Sequence, residues 1–341
     1  MARTYQRAGL VLGRGHADKA MVKALQRDLR ALGYLRRGID GDFGAGTEAA
    51  VRALQFDLLN NDGVGPDGRA PVALRDFNKG RVAASGGTVD AALAACIDEL
   101  MTADAVQKVP RAADAAAANK RALAQVLEAM SKEAPTPFLV AMVQQESGGK
   151  HFAEPSARDE DDFVIVGLDR NKGPDQITSR GYGIGQHTLF HHPPSKDEVD
   201  KHIADPVGNV AKAYAELRHK FDRFLLGADA ADAADDRKAE HAQAALRLCK
   251  HDATSLLYMR DCAACAKAAG KVKIASGDPV HAGAALQYAP STYYASANYD
   301  GVPARADFAC DWPYAIRRYN GGGINSYHYQ ARVLLNLLRQ S

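Results

Sequence analysis

Residues 136–149 read Thr136-Pro137-Phe138-Leu139-Val140-Ala141-Met142-Val143-Gln144-Gln145-Glu146-Ser147-Gly148-Gly149, an apolar run that ends on one carboxylate and two glycines. Thr136 is suited to cap a helix and Pro137 to its first position, while Gly148 and Gly149 supply the permissive backbone that stops one. Leu139, Val143 and Glu146 recur at i, i+4, i+7, so the carboxylate shares the stripe that faces a core. A carboxyl held against apolar side chains resists ionisation, which raises its pKa and keeps it protonated near neutrality. Such a group can protonate the leaving oxygen of a glycosidic bond. The plainer alternative is a helix-terminal Glu turned into solvent.

Three downstream segments bear on that choice. Gly181-Tyr182-Gly183-Ile184-Gly185-Gln186 is a glycine-dense loop in which backbone can approach a ligand and one amide can bond a sugar. Asp205-Pro206 followed by Asn209 predicts a capped helix start, with Val207, Val210, Tyr214, Leu217, Phe221 and Phe224 along one face. Ala315-Ile316-Arg317-Arg318-Tyr319-Asn320-Gly321-Gly322-Gly323 ends another apolar helix with an aromatic, an amide and a glycine run.

In this order the segments resemble the lytic transglycosylase and goose-type lysozyme superfamily. Its pattern E-S, G-L-M-Q, D-P-x-x-N, A-Y-N-A-G and a late Tyr finds counterparts in Glu146-Ser147, Gly183-Ile184-Gly185-Gln186, Asp205-Pro206-Val207-Gly208-Asn209, Arg318-Tyr319-Asn320-Gly321-Gly322, and Tyr327 or Tyr329. Gly185 stands where Met is usual and Arg318 where Ala is usual. The resemblance implies that Glu146 is the acid/base, that Ser147 and Gln186 orient the acetamido and sugar groups with Tyr182 in the same loop, and that Tyr319 and Asn320 border the scissile bond. Tyr319 as a core residue and Asn320 as a helix C-cap are the structural alternatives.

The front of the chain is a separate case. Val22, Leu25, Leu29 and Leu32 recur at helical spacing, Gly33 and Tyr34 end that helix, and Asp40-Gly41-Asp42-Phe43-Gly44 forms a turn-rich loop. Thr47 is placed to cap a second helix carrying Ala50, Val51, Leu54 and Leu58. Leu25 through Gln55 resembles the small three-helix peptidoglycan-binding domain, with its L-Q-x-x-L-x-x-L-G-Y, D-G-x-F-G-x-x-T and A-V-x-x-x-Q pattern. The resemblance implies that Asp40, Asp42 and Phe43 border the wall ligand, with a purely fold-locking loop as the alternative.

Alanine-rich amphipathic stretches dominate over alternating patterns and aromatics are 7%, so the expected fold class is mainly α. The expected domains are a three-helix binding domain at 1–80, a linker with connecting helices at 81–135, and an α-helical lysozyme-like domain at 136–341. Residues 80–88 read as the linker proper, followed by helices over about 89–101 and 112–130. A formal net charge of +2 gives no case for nucleic acid. Met1 to Ala20 carries Arg3, Arg7, Arg14 and Asp18 and only a short apolar run, so neither a signal peptide nor a membrane span is visible. A chain made in the cytoplasm that acts on peptidoglycan glycan strands in the periplasm or wall then needs delivery, as a phage lysis enzyme or as an antibacterial secreted effector. The effector reading brings an immunity protein or a secretion-machine component as partner.

An insertion at about 227–310 holds four of the five cysteines. Cys249, Cys262, Cys265 and Cys310 allow a zinc site, although their spacing lacks paired C-x2-C hooks; disulfides and buried thiols are the alternatives. Cys96 reads as core. Pro174 spoils the oxygen-rich 169–175 stretch as a calcium loop, and no cofactor is expected. The reaction itself turns on a second acid. A hydrolase needs a carboxylate to hold water, for which Asp169 and Asp175 are the candidates, whereas a lytic transglycosylase needs none.

Overall fold

The computed structural model describes residues 3–131, 136–225, 312–320, 329–330, 332–333 and 336, with residues 136, 137, 221–225, 312–314 and 317 described in backbone only. The insertion with its four cysteines, Tyr327 and Gly321 to Gly323 lie outside them. The fold is mainly α, as the patterning predicts. It divides into two compact units, one of residues 1–125 and 150–210 and one of residues 126–149 and 211–341. The expected division at 80 and 135 follows sequence resemblance and is kept as a proposal; the packing units cut across it.

The first unit opens with α1 (Lys19–Ala31), whose N-cap Asp18 accepts from the Met21 amide at 3.0 Å. Val22, Leu25, Leu29 and Leu32 are all buried, as their spacing predicts. Gly33 takes φ 76°, its amide donates to Arg30 O and the Tyr34 amide to Leu29 O, so the helix closes on a Schellman turn. Then α2 (Ala45–Asn60) buries Ala50, Val51, Leu54 and Leu58. Its N-cap is Gly44, not Thr47; the Thr47 hydroxyl instead donates to Asp42 O and accepts from Gln26, so it fastens the preceding loop. The hairpin of β1 (Val64–Gly65) and β2 (Gly68–Arg69) follows, and the third of the expected front helices is only a 3-10 turn at Leu74–Phe77. Gly63, Pro66, Gly68 and Pro71 break the chain too often for more.

The stretch expected as a linker is not one. Gln55 accepts from the Gly87 amide at 2.8 Å and donates to Thr88 O at 3.1 Å, Leu12 and Val89 form a bridge, and Val82 and Val89 are buried in the same apolar cluster as α1 and α2. Small residues at 83–87 read as a tether, but the Gln55 carboxamide fixes its far end at Gly87 and Thr88. Beyond, α3 (Ala91–Thr102) starts on the Asp90 cap, and α4 (Ala115–Met130) follows, both close to the predicted spans.

Residues 150–204 bring a three-stranded antiparallel sheet, β3 (Val166–Asp169), β4 (Ser179–Tyr182) and β5 (His187–Leu189), in that order. A short helix, α6 (Lys196–Glu198), passes into a π turn at Val199–Ile203. One apolar cluster joins Ala31 and Ile39 from the front to Val164, Val166, Tyr182 and Ile203. Charged groups bolt the same contact. Arg30 Nε meets Asp161 at 2.8 Å with both side chains almost wholly buried, and Arg180 meets Asp57, which also accepts from the Tyr34 hydroxyl at 2.6 Å. Arg52 grips Asp175 with two bonds of 2.7 and 2.9 Å. Finally α7 (Pro206–Leu225) starts on Asp205, whose carboxylate accepts from the Val207 and Gly208 amides, as the D-P motif predicts.

In the second unit, α5 (Thr136–Ser147) packs against α8 (Trp312–Tyr319), and residues 329–330 and 332–333 are helical. Among the described residues no helix is long and apolar enough to cross a membrane.

Candidate functional site

Glu146 lies in the last turn of α5, which ends at Ser147 before Gly148 and Gly149 take φ 68° and 74°. Phe138, Leu139, Met142 and Val143 bury the rest of that helix, so the carboxylate is carried at the edge of a packed face. The residue as a whole is half-buried, while its carboxyl is closely enclosed. Burial pushes its pKa up to about 7, against the opposing pull of the Tyr329 hydrogen bond and the Arg332 charge. The Tyr329 hydroxyl donates to Oε1 at 2.5 Å. Burial, then the Glu146 charge, holds the Tyr329 phenol far above its ordinary range, so it stays a donor. The Tyr319 ring stacks on Tyr329 with centroids 6.0 Å apart and planes 26° apart. Ser147 Oγ donates back to Val143 O at 3.2 Å, and Asn320 is exposed just after α8. Glu146, Ser147, Tyr319 and Asn320 therefore all belong to the second unit. Tyr329, given no role by its motif position, is the direct partner of the acid.

The other expected residues belong to the first unit. Gln186 adopts φ 51° and folds its carboxamide onto the sheet, donating to Gly183 O at 2.8 Å. The space for it comes from a cross-strand glycine pair, Gly167 opposite Gly181: a Cβ would lie 2.4 Å from Gln186 Oε1 at Gly167 and 2.9 Å at Gly181. Tyr182, expected to touch substrate, is instead a core residue 1% exposed. Its place in the central strand explains it, since all four residues of β4 are buried whichever face they take, and the Tyr182 ring joins the apolar cluster with Val164, Val166 and Ile203.

Two buried side chains that sequence reasoning left without a role hold the Gly183–Gln186 turn. Asn209 donates to Tyr182 O and His202 O and accepts from the Gly185 amide, each at 2.7 Å. His151 accepts from the Ile184 amide through Nδ1 at 3.2 Å and donates from Nε2 to Ile203 O at 2.9 Å. Burial pushes its pKa down to about 4, which suits a neutral ring with one donor and one acceptor. Asp175 is committed to Arg52, which holds its carboxyl below the usual range, and Asp169 accepts from Ser179 at 2.9 Å.

At the front loop, Gln26 is the organiser. It is buried, accepts from the Gly41 amide at 2.8 Å and donates to Asp40 at 2.9 Å and to Asp42 O at 3.0 Å. Asp40 and Asp42 are exposed and line a groove of about 800 Å³. Phe43, expected beside them, points the other way and is 1% exposed in the core, so it locks the loop.

Among the described residues no cluster of three or more His, Cys, Asp or Glu is arranged to hold a metal, and the four-cysteine zinc option falls outside them. Cys96 is buried in the core.

Compared with known proteins, residues 18–64 match the peptidoglycan binding domain family. No curated protein and no solved structure matches the chain. The chain thus carries a peptidoglycan-binding domain built on α1, the 40–44 loop and α2, with peptidoglycan as its partner.

Proposed function

We propose that this chain cleaves the β-1,4 bond between N-acetylmuramic acid and N-acetylglucosamine in peptidoglycan, as a lytic transglycosylase that leaves a 1,6-anhydro-muramyl end. The observation that carries the reading is the Glu146 carboxyl, with a pKa pushed up to about 7 and a hydrogen bond from Tyr329. A group that populates both protonation states near neutrality can give a proton and take one back. In the proposed reaction Glu146 protonates the glycosidic oxygen as the bond to the anomeric carbon breaks, with the substrate acetamido oxygen covering that carbon. The muramyl 6-hydroxyl then bonds to the anomeric carbon, displaces the acetamido oxygen and returns its proton to Glu146. Ser147 and Gln186 keep the substrate-orienting roles, and Tyr319 and Asn320 the place beside the scissile bond, that the resemblance implies.

The hydrolase reading needs a carboxylate free to polarise water. Asp175 is a weak base while Arg52 holds it, and Asp169 already accepts from Ser179, which favours the transglycosylase. An inert wall-binding protein would have no use for an acid tuned this way. Delivery as an antibacterial effector remains part of the proposal.

Mass spectrometry of fragments released from purified sacculi tests the chemistry, because an anhydro end lacks the water that a reducing end carries. Exclusive formation of reducing ends would replace the transglycosylase by a muramidase. Glu146→Gln is expected to lower release by about 10²–10⁴-fold. A variant that released fragments at the parent's rate would remove Glu146 from the mechanism.

A further inference from the structure

The domain match names peptidoglycan but not which part of it is held. We propose that the groove beside α1 and the 40–44 loop binds the charged peptide stem of peptidoglycan, through its ammonium and carboxylate groups, and not the glycan strand. This rests on peptidoglycan being the partner of residues 18–64 and is independent of the glycosidase reading.

The groove encloses about 800 Å³ and is lined only by charged residues and two alanines. Its charges divide into those already used and those on offer. Lys23 and Arg27 both pair with Glu160, so these three are engaged with one another and leave one positive charge in excess. Lys19 and Arg158 are exposed and form no ion pair among the described residues. Across from them in charge stand the exposed carboxylates of Asp40 and Asp42. Two cations and two carboxylates that form no ion pair among the described residues, with Asp40 accepting from Gln26 and the Asp42 amide through Oδ1 alone, suit a ligand that carries both signs, and charge-assisted bonds give each end its partner.

A glycan strand would ask for different walls. Pyranose rings present apolar faces that stack on aromatic side chains, and this groove has no ring in its lining. The one aromatic of the loop, Phe43, is turned into the core. Peptide stems, by contrast, carry free carboxylates and, at a diamino acid, a free amine.

Arg158 also lies outside the matched residues 18–64, so the site is composite. The 156–160 turn that presents it is fixed: Ser156 N donates to Asp159 O at 2.7 Å, the Ile39 amide to Asp159 Oδ1 at 2.8 Å, and the Glu160 amide to Ile39 O at 3.1 Å. A preset wall lowers the ordering cost of binding.

The test uses the full chain carrying Glu146→Gln, so that sacculi persist. Calorimetric titration with the soluble tripeptide L-alanyl-γ-D-glutamyl-diaminopimelate is expected to show binding that weakens as salt is raised from about 50 to about 300 mM. The double charge reversal Lys19→Glu/Arg158→Glu should weaken it by about tenfold or more, with an unchanged melting temperature. Asp42→Asn, a minimal change at an exposed side chain, should weaken it in the same direction. Titration with chitotetraose should be indifferent to all three substitutions. Absence of tripeptide binding, equal binding by the substituted proteins, or a chitotetraose affinity that falls with the charge reversal would each overturn the proposal. Pelleting with sacculi reads the wall partner by itself: if it fails, the peptide site falls with that partner, and if it persists without tripeptide binding, the peptide site alone falls. Fragment release by the parent chain reads the glycosidase proposal separately.

Discussion

Glu146 and Tyr329 set the terms at the scale of single residues. The Tyr329 hydrogen bond favours the carboxylate and so opposes burial. Tyr329→Phe should therefore raise the Glu146 pKa and move the alkaline limb of the pH–rate profile to higher pH, while parent activity falls as pH rises through about 7. The same ionisation is linked to stability. The folded-state pKa of about 7 lies above the ordinary 4.5, so the contribution of Glu146 to stability is fully present below pH 4.5 and lost as pH rises through 7. Glu146→Gln should accordingly melt above the parent at pH 8, with the gap closing towards pH 5; an equal gap at both pH values would contradict the burial. The stripe of Leu139, Val143 and Glu146 already foretells a carboxylate beside a core. Its partner was less legible, because contact between residues 183 positions apart leaves no local spacing signal. Tyr182 and Phe43 misled for a related reason: a ring inside a glycine-rich motif looks exposed until packing against distant segments encloses it.

Elements depend on close approaches that only glycine permits. Gly208, in the first turn of α7, would place a Cβ 1.9 Å from the Lys201 carbonyl. Gly208→Ala should thus cost about 3 kcal/mol or more, read as a lowered denaturant midpoint with unchanged slope. Gly167 is gentler, since its clash would be with the movable end of Gln186. Gly167→Ala should leave the sheet intact but expel the carboxamide; if Gln186 orients substrate, KM on soluble glycan rises more than kcat falls. Helix spans were readable here because their signals are local: the Asp205 cap and the Gly33 stop each act within a few residues, as do the Asp18 and Asp90 caps that the sequence reading passed over. The sheet was not, as its strands are three or four residues long and too short for alternation to register. Thr47 shows the same limit, being correct in type for a cap but drawn away by Gln26.

For the molecule as a whole, the decisive feature is that residues 18–64 share their core and their buried charges with residues 150–204. Asp161→Ala would leave the Arg30 guanidinium buried without its counter-charge, at a cost of about 3–5 kcal/mol, whereas replacing both by apolar residues should recover much of it. Thermal melts of the three proteins check this. An unchanged melting temperature for Asp161→Ala would mean that the pair bears no part in joining the two segments. Composition at 80–88 reads as a linker, and the resemblance places a domain boundary at about 80. Neither anticipates Gln55, Arg30, Asp57 and Arg180, each of which looks like an ordinary polar residue of a helix or strand until its distant partner is known.

The Gln55 clamp on Gly87 and Thr88 has a consequence for reach. Modules joined by a slack tether explore a sphere, and their joint grip on a polymer is governed by the effective concentration that the tether allows. Here the leash is taken up within the first unit. On the roles proposed above for the 40–44 groove and the Gly183–Gln186 turn, a bound wall fragment would run between them at one set spacing, which would make the unit a ruler laid along the polymer and not a hand swinging from it.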